Sequence, residues 1–211
     1  MAASPHQAPA APVLQHSITP RFEWEGTCRD PVFRAIIGPD MPGVYYVFET
    51  RLGWVGIAGK DGRIRRLTLP LPDKREAEKA VKEGMPEHFV ETKHDFSGEA
   101  DRIRAYFRGE WVDFKCEIDA AGSSAFDRRV RAAAREIGYG RVETYGWIAA
   151  RIGQPGAARA VGRALGRNPV PVIVPCHRVI RSDGHVGGFS AGLEWKIRLL
   201  DMEKHVRGGS A

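Results

Sequence analysis

The chain has 211 residues, 43% apolar and 27% charged, a globular balance that excludes a disordered or coiled-coil chain and allows one large domain or two modest ones. No run approaches about 18 consecutive apolar residues, so no membrane partner is expected; the N-terminus also lacks the basic head and apolar run of a signal peptide, so a cytoplasmic location is. The net charge of +6 is uneven, because residues 121–211 carry 15 Lys/Arg against 7 Asp/Glu whereas the first 120 carry 17 against 19, and a basic second half favours a polyanionic partner such as DNA or RNA.

Residues 1–18 are rich in Ala, Pro and Gln and read as a flexible leader. Strand-like runs follow at Gly43–Thr50, Trp54–Ala58 and Ile64–Leu69, punctuated by Gly53 and by Asp61-Gly62; this is a hairpin or meander signal. Lys74–Lys82 predicts a short helix. Gly98–Phe107 predicts another, with Ser97 as N-cap and no capping box, since Ala100 stands three residues on. Trp111–Ile118 reads as a strand. The small, polar run Asp119–Ser124 marks a linker, so an α/β domain over 19–119 is expected to precede a mainly helical domain over 120–204, with a frayed tail at 205–211.

In the second part, Phe126–Ile137 keeps Phe126, Val130, Ala133 and Ile137 on one helical side. Thr144 can cap Tyr145–Ile152, which Gly153 ends. Pro155 should begin a further helix over Gly156–Leu165, closed by Gly166 and Asn168-Pro169. Two short helices at this spacing resemble a helix-turn-helix, but the pattern alone is not specific and also fits ordinary packed helices. In the second helix Arg159 and Arg163 share a face. Ala157, Ala158, Ala160 and Gly162 have little bulk, which suits either close, shape-led docking into a DNA groove or tight helix packing.

The three cysteines, Cys28, Cys116 and Cys176, are far apart and odd in number. They make neither a disulfide framework nor a metal knuckle, so no metal and no cofactor is expected. Cys176 ends the apolar run Val172–Val174, which prolines bracket. His177 and Arg178 follow it, and positive charge beside a thiol favours the nucleophilic thiolate. Neighbours on an extended strand point to opposite sides, so a turn or a water must link His177 to Cys176. A buried acid would hold the imidazole tautomer. Glu203 is the best candidate, on a C-terminal segment whose apolar face is expected at Leu193, Ile197 and Leu200. A cysteine hydrolase fits the bare chemistry but would need an oxyanion site and turnover.

Pro175-Cys-His-Arg-Val-Ile180, preceded by Asn168-Pro-Val-Pro171, resembles the O6-methylguanine-DNA methyltransferase family. The likeness extends to Thr144-Tyr145, Ala157–Gly162, Gly187-Gly-Phe-Ser190 and Lys196 through Glu203, and covers about residues 122–204. The resemblance implies a suicide alkyltransferase that flips O6-alkylguanine out of double-stranded DNA. It implies Cys176 as acceptor, His177 as base through a water, Glu203 as its orienting acid, Tyr145 as proton donor to guanine N3 and Asn168 as brace. Val179, Phe189, Ser190 and Leu165 would line the pocket, with the Val179 carbonyl toward the guanine amino group. Arg159 would fill the gap left by the flipped base, while Thr144, Ala157, Ala158, Ala160, Gly162 and Arg163 would contact DNA. Phe189 and Ala191 depart from the tyrosine and glycine common in the family pattern, which bears on substrate range. Zinc-binding relatives use a Cys/His cluster; here only Cys28, Cys116 and His94 are available, and no zinc is expected. A monomer is expected. The rival class is a lesion sensor that binds alkylated DNA without taking the alkyl group.

Overall fold

The computed structural model describes residues 42–85, 89–93 and 95–207; the leader, the tail after residue 207, Cys28 and His94 lie outside them. The hairpin signal is realised as β1 (Gly43–Thr50) antiparallel to β2 (Gly53–Lys60), with Tyr46 opposite Ile57. Asp61 and Gly62 both take positive φ, 53° and 75°, the two-residue turn that matches strand twist, and return the chain as β3 (Arg63–Leu67). Asp73 caps α1 (Lys74–Lys82) by accepting the Glu76 amide at 2.8 Å. A three-residue strand, β4 (Phe89–Glu91), then joins parallel to β1, giving the order β3-β2-β1-β4. Sequence reasoning missed β4, whose three residues are too few for a period to show.

Side chains along β1 alternate between two faces. Tyr45 and Val47 pack with Ala58, Ala77 and Val81 under α1. Val44 and Phe48 join Val55, Ile57 and Ile64 in the main core, which α2 (Ser97–Phe107) covers with Ala100, Ile103, Tyr106 and Phe107. Two expectations fail here. Ser97 is not the N-cap of α2: Phe96 holds that position, without a side-chain cap, and its buried ring anchors the helix start instead. Trp111–Ile118 is not a strand. It meets the sheet at the isolated Ile64–Ile118 bridge and through the Arg63–Glu117 ion pair, while the carbonyls of Phe114 and Cys116 accept from Arg135. A side chain thus satisfies what a neighbouring strand would have, and Trp111 stays 65% exposed.

The rest of the chain is mainly helical. Ser124, read as linker, caps α3 (Ala125–Arg135) by accepting the Asp127 amide. Thr144 caps α4 (Tyr145–Arg151) as expected, accepting the Trp147 amide at 3.0 Å. The next helix, α5 (Ala158–Gly166), starts later than expected and Pro155 lies outside it. Gly156 takes φ +95°, which no right-handed helix allows, so the first turn cannot form until Ala157. α4 and α5 make the helix-turn-helix pair. A short turn at Cys176–Arg178 follows, then β6 (Val179–Ile180), which pairs with β5 (Glu143–Thr144). The last helix is α6 (Leu193–Arg207).

α6 corrects another expectation. Leu193 and Ile197 are exposed, and of the three predicted apolar residues only Leu200 is buried. The buried stripe is Lys196, Leu199, Leu200 and Glu203, the same 3–4 spacing rotated by one residue, with charged groups at both ends. One hydrophobic core runs from the sheet through α2 and α3 to Cys176 and Leu199. Among the described residues no helix is long and apolar enough to cross a membrane.

Candidate active site

Asn168 organises the approach to Cys176. Its side-chain oxygen accepts the Val170 amide at 3.1 Å, and its Nδ2 donates to the Val174 carbonyl and to Cys176 Sγ, both at 3.1 Å. Between these ties Val172 takes φ +71°, a left-handed conformation costly for a β-branched residue. Val172 is also 1% exposed, so packing holds it there. The chain doubles back on itself through the Pro171–Val174 bridge and delivers Cys176 at the head of a 3₁₀ turn. That turn supplies the change of direction that an extended strand could not.

Cys176 is 5% exposed. Burial pushes its thiol above the ordinary value; the Asn168 amide and the charge of Lys196 pull the other way without overcoming it. This corrects the expectation that the neighbouring cations lower it. Arg178 faces away, its guanidinium bound to Glu203 and the Ile137 carbonyl, and burial keeps His177 below its usual range, hence neutral. The thiol is therefore protonated at rest and needs a base.

The structure places that base beside an acid. His177 Nε2 lies 2.8 Å from Glu203 Oε1. Burial opposes ionisation of Glu203, but hydrogen bonds from His177 and Arg178 hold its carboxyl down at about 2. An ionised carboxylate only accepts, so Nε2 carries the proton and Nδ1 keeps its lone pair. Nδ1 is buried and has no protein partner. Glu203 is densely coordinated: Oε1 accepts from His177, from Tyr106 Oη at 2.8 Å and from Arg178 Nη2 at 2.9 Å, while Oε2 accepts Arg178 Nε at 2.9 Å and the Gly140 amide at 3.0 Å. Sequence reasoning found His177 and Glu203 and missed Tyr106, Gly140 and the pairing of Arg178. The signal for Tyr106 was its place on the apolar stripe of a helix, where a phenol must find an acceptor.

Lys196 is the second group that was missed. It is 1% exposed, and its ammonium donates to the Val179 carbonyl at 2.6 Å and the Gly188 carbonyl at 3.4 Å. It lies 5.7 Å from the Tyr145 ring centroid. Burial lowers its pKa to about 8. Burial also raises that of Tyr145, so the phenol stays a proton donor. Tyr145 and Phe189 pack on the core that contains Cys176, Val179 and Leu165. Ser190 is exposed on the loop before α6. The Val179 carbonyl thus already accepts from Lys196. A Cβ at Gly162 would sit 3.7 Å from the Tyr145 ring, which ties the small-residue helix to the site.

On α5, Arg159 and Arg163 are exposed and make no hydrogen bond or ion pair among the described residues, while Ala157, Ala158, Ala160 and Gly162 are half-buried. Residues 125–205 match the family model of the DNA-binding domain of 6-O-methylguanine DNA methyltransferase. The methylated-DNA–protein-cysteine methyltransferase of Mycolicibacterium paratuberculosis is 38% identical over 160 residues, 76% of this chain and 92% of that protein. The chain belongs to the methylated-DNA–protein-cysteine methyltransferase family. A second family member, from Methanosarcina acetivorans, is 37% identical over 75% of this chain and 97% of its own length. The crystal structure of Mycobacterium tuberculosis OGT in complex with DNA superposes with a TM-score of 0.66 at 36% identity, covering 77% of this chain and 93% of that one. For this methyltransferase chain, the matched domain contains Cys176, His177, Lys196 and Glu203, whereas Tyr106 lies outside it.

Proposed function

We propose that the chain repairs DNA by taking the alkyl group of O6-alkylguanine onto Cys176, one lesion per protein molecule. The observation that carries this reading is a buried thiol on a tight turn, beside a histidine whose protonated nitrogen is held by a carboxylate and whose other nitrogen is unengaged by protein. His177 Nδ1 accepts the thiol proton through a water, and Glu203 stabilises the imidazolium that results. The sulfur attacks the alkyl carbon in line, the carbon–O6 bond breaks and its electrons pass to the guanine ring. Tyr145 donates its proton toward N3, so guanine leaves neutral. The product thioether is neither a nucleophile nor a leaving group, which makes the reaction single-turnover.

Asn168 braces the sulfur. Val179, Phe189, Ser190 and Leu165 line the pocket for the rotated base. Arg159 occupies the duplex gap. Thr144, Ala157, Ala158, Ala160, Gly162 and Arg163 form the surface on the DNA backbone, where contacts to phosphate are salt-sensitive and carry little sequence information. The chain acts as a monomer in the cytoplasm, on the chromosome. Incubation with duplex DNA containing O6-methylguanine should add one methyl mass, on Cys176 alone. Cys176→Ala should bind the same DNA and gain nothing. Tight binding by the unaltered chain without an adduct would instead mark a lesion sensor.

A further inference from the structure

Glu203 is the hub of the relay, and one of its ligands comes from far away in the chain. Tyr106, on α2 in the strand-rich part, sends its hydroxyl to Glu203 Oε1 at 2.8 Å and lies 3.4 Å from His177 Nε2. The ring is 0% exposed and wedged edge-on against Phe107 and Tyr139. Packing alone would be satisfied by phenylalanine, so the hydroxyl is what distinguishes this residue. We propose that Tyr106 is a positioning residue for alkyl transfer, its hydroxyl sharing the carboxylate oxygen that holds His177 and so setting how strongly that histidine takes a proton.

The physical argument is competition at one atom. Oε1 accepts from Tyr106, His177 and Arg178 at once, and each donor withdraws negative charge from it. Removing the tyrosine proton leaves more charge facing His177 Nε2, which favours the imidazolium. The groups that face this pair are Lys196 and Glu203 from α6, Cys176 and Arg178 from the reactive turn, Tyr139 after α3 and Tyr106 from α2. All but Tyr106 lie within the matched DNA-binding domain. Among the described side chains, the Tyr106 hydroxyl is the one the strand-rich part sends to the Glu203–His177 pair.

This inference rests on the transfer reading above. Its test is Tyr106→Phe, which keeps the ring and deletes the oxygen. The single-turnover methyl-transfer rate falls on the acid side as His177 becomes protonated. In the variant that midpoint should move to higher pH by about half a unit or more, and the ¹⁵N shifts of His177 should titrate with the same displacement. A purely structural role would lower the melting temperature and leave both midpoints in place, which overturns the proposal. If Tyr106→Phe does not fold, 3,5-difluorotyrosine at position 106 retains ring and oxygen and is a stronger donor. Its midpoint should move to lower pH, and an unmoved midpoint again overturns the idea. The histidine titration is read without DNA. A failure of the unaltered chain to form S-methylcysteine would thus sink the transfer reading and be distinguishable from a failure here.

Discussion

Val55, Ile57 and Ile64 in the sheet and His177, Lys196 and Glu203 in the helical part are equally shut off from water, none more than 1% exposed. The first three need only neighbours of suitable volume, because dispersion and the hydrophobic effect have no direction. The second three each need a partner at a set distance and angle. Buried ionic groups are seldom more stabilising than apolar ones of the same size, and breaking one pair leaves an uncompensated charge. A fold that keeps such a cluster beside a thiol keeps it for chemistry, while stability comes from the apolar core that both parts share.

The comparison can be broken most forcefully at Glu203. Glu203→Gln leaves Arg178 buried without its counter-ion and should cost about 3–5 kcal/mol, read as a lower urea midpoint; an unchanged midpoint would show that the cluster is not closed to water. The same group fixes the acid limit. Its folded pKa of about 2 lies below the ordinary glutamate value of 4.5. The stability it supplies, on the order of 3 kcal/mol, is complete above pH 4.5 and is lost as pH falls toward 2. Acid titration of the variant should lack that loss.

Next in size is Gly59→Ala in the sheet. A Cβ there would clash with the Arg63 carbonyl oxygen and meet the Phe96 ring at 3.0 Å, so the β2–β3 pairing, whose register shifts between Ala58 and Gly59, must open there at a cost of about 2–3 kcal/mol. Because the apolar core is continuous, both parts should melt together; two separate transitions in calorimetry would divide the molecule where the core joins it. The smallest effect on stability belongs to Arg159→Ala, within about 0.5 kcal/mol, since the side chain is exposed and unpaired. Its effect should fall on repair of duplex DNA and spare a single-stranded lesion. Equal rates on duplex for variant and parent would remove Arg159 from base replacement.

Local rules read well where one rule acts alone. β1 and α1 have the boundaries that turn residues and helix spacing predict, and Thr144 caps as its type suggests. Legibility fails where a distant group decides. Trp111–Ile118 has strand-like residues, yet Arg135 takes the carbonyls. On α6 the apolar residues alone point to the wrong stripe, because Lys196 and Glu203 are buried by partners that no helical period reveals. The same holds at the site. Cys176, His177 and Glu203 announce themselves by type and order, whereas Tyr106 joins them across 97 positions to Glu203. The sign of the thiol shift also escaped the sequence, since charges adjacent in the chain do not face the sulfur.

The knot around Asn168 has a consequence for how the molecule can vary. Residues 168–176 are tied mostly to one another, through the Asn168 side chain and the Ile173, Val174 and Cys176 amides. The sulfur therefore inherits its coordinates from a nine-residue loop that carries its own template. Drift in the outer helices can reshape the rim and the lesions admitted there while the reacting atom keeps its address, so breadth of substrate and fidelity of attack are free to change independently.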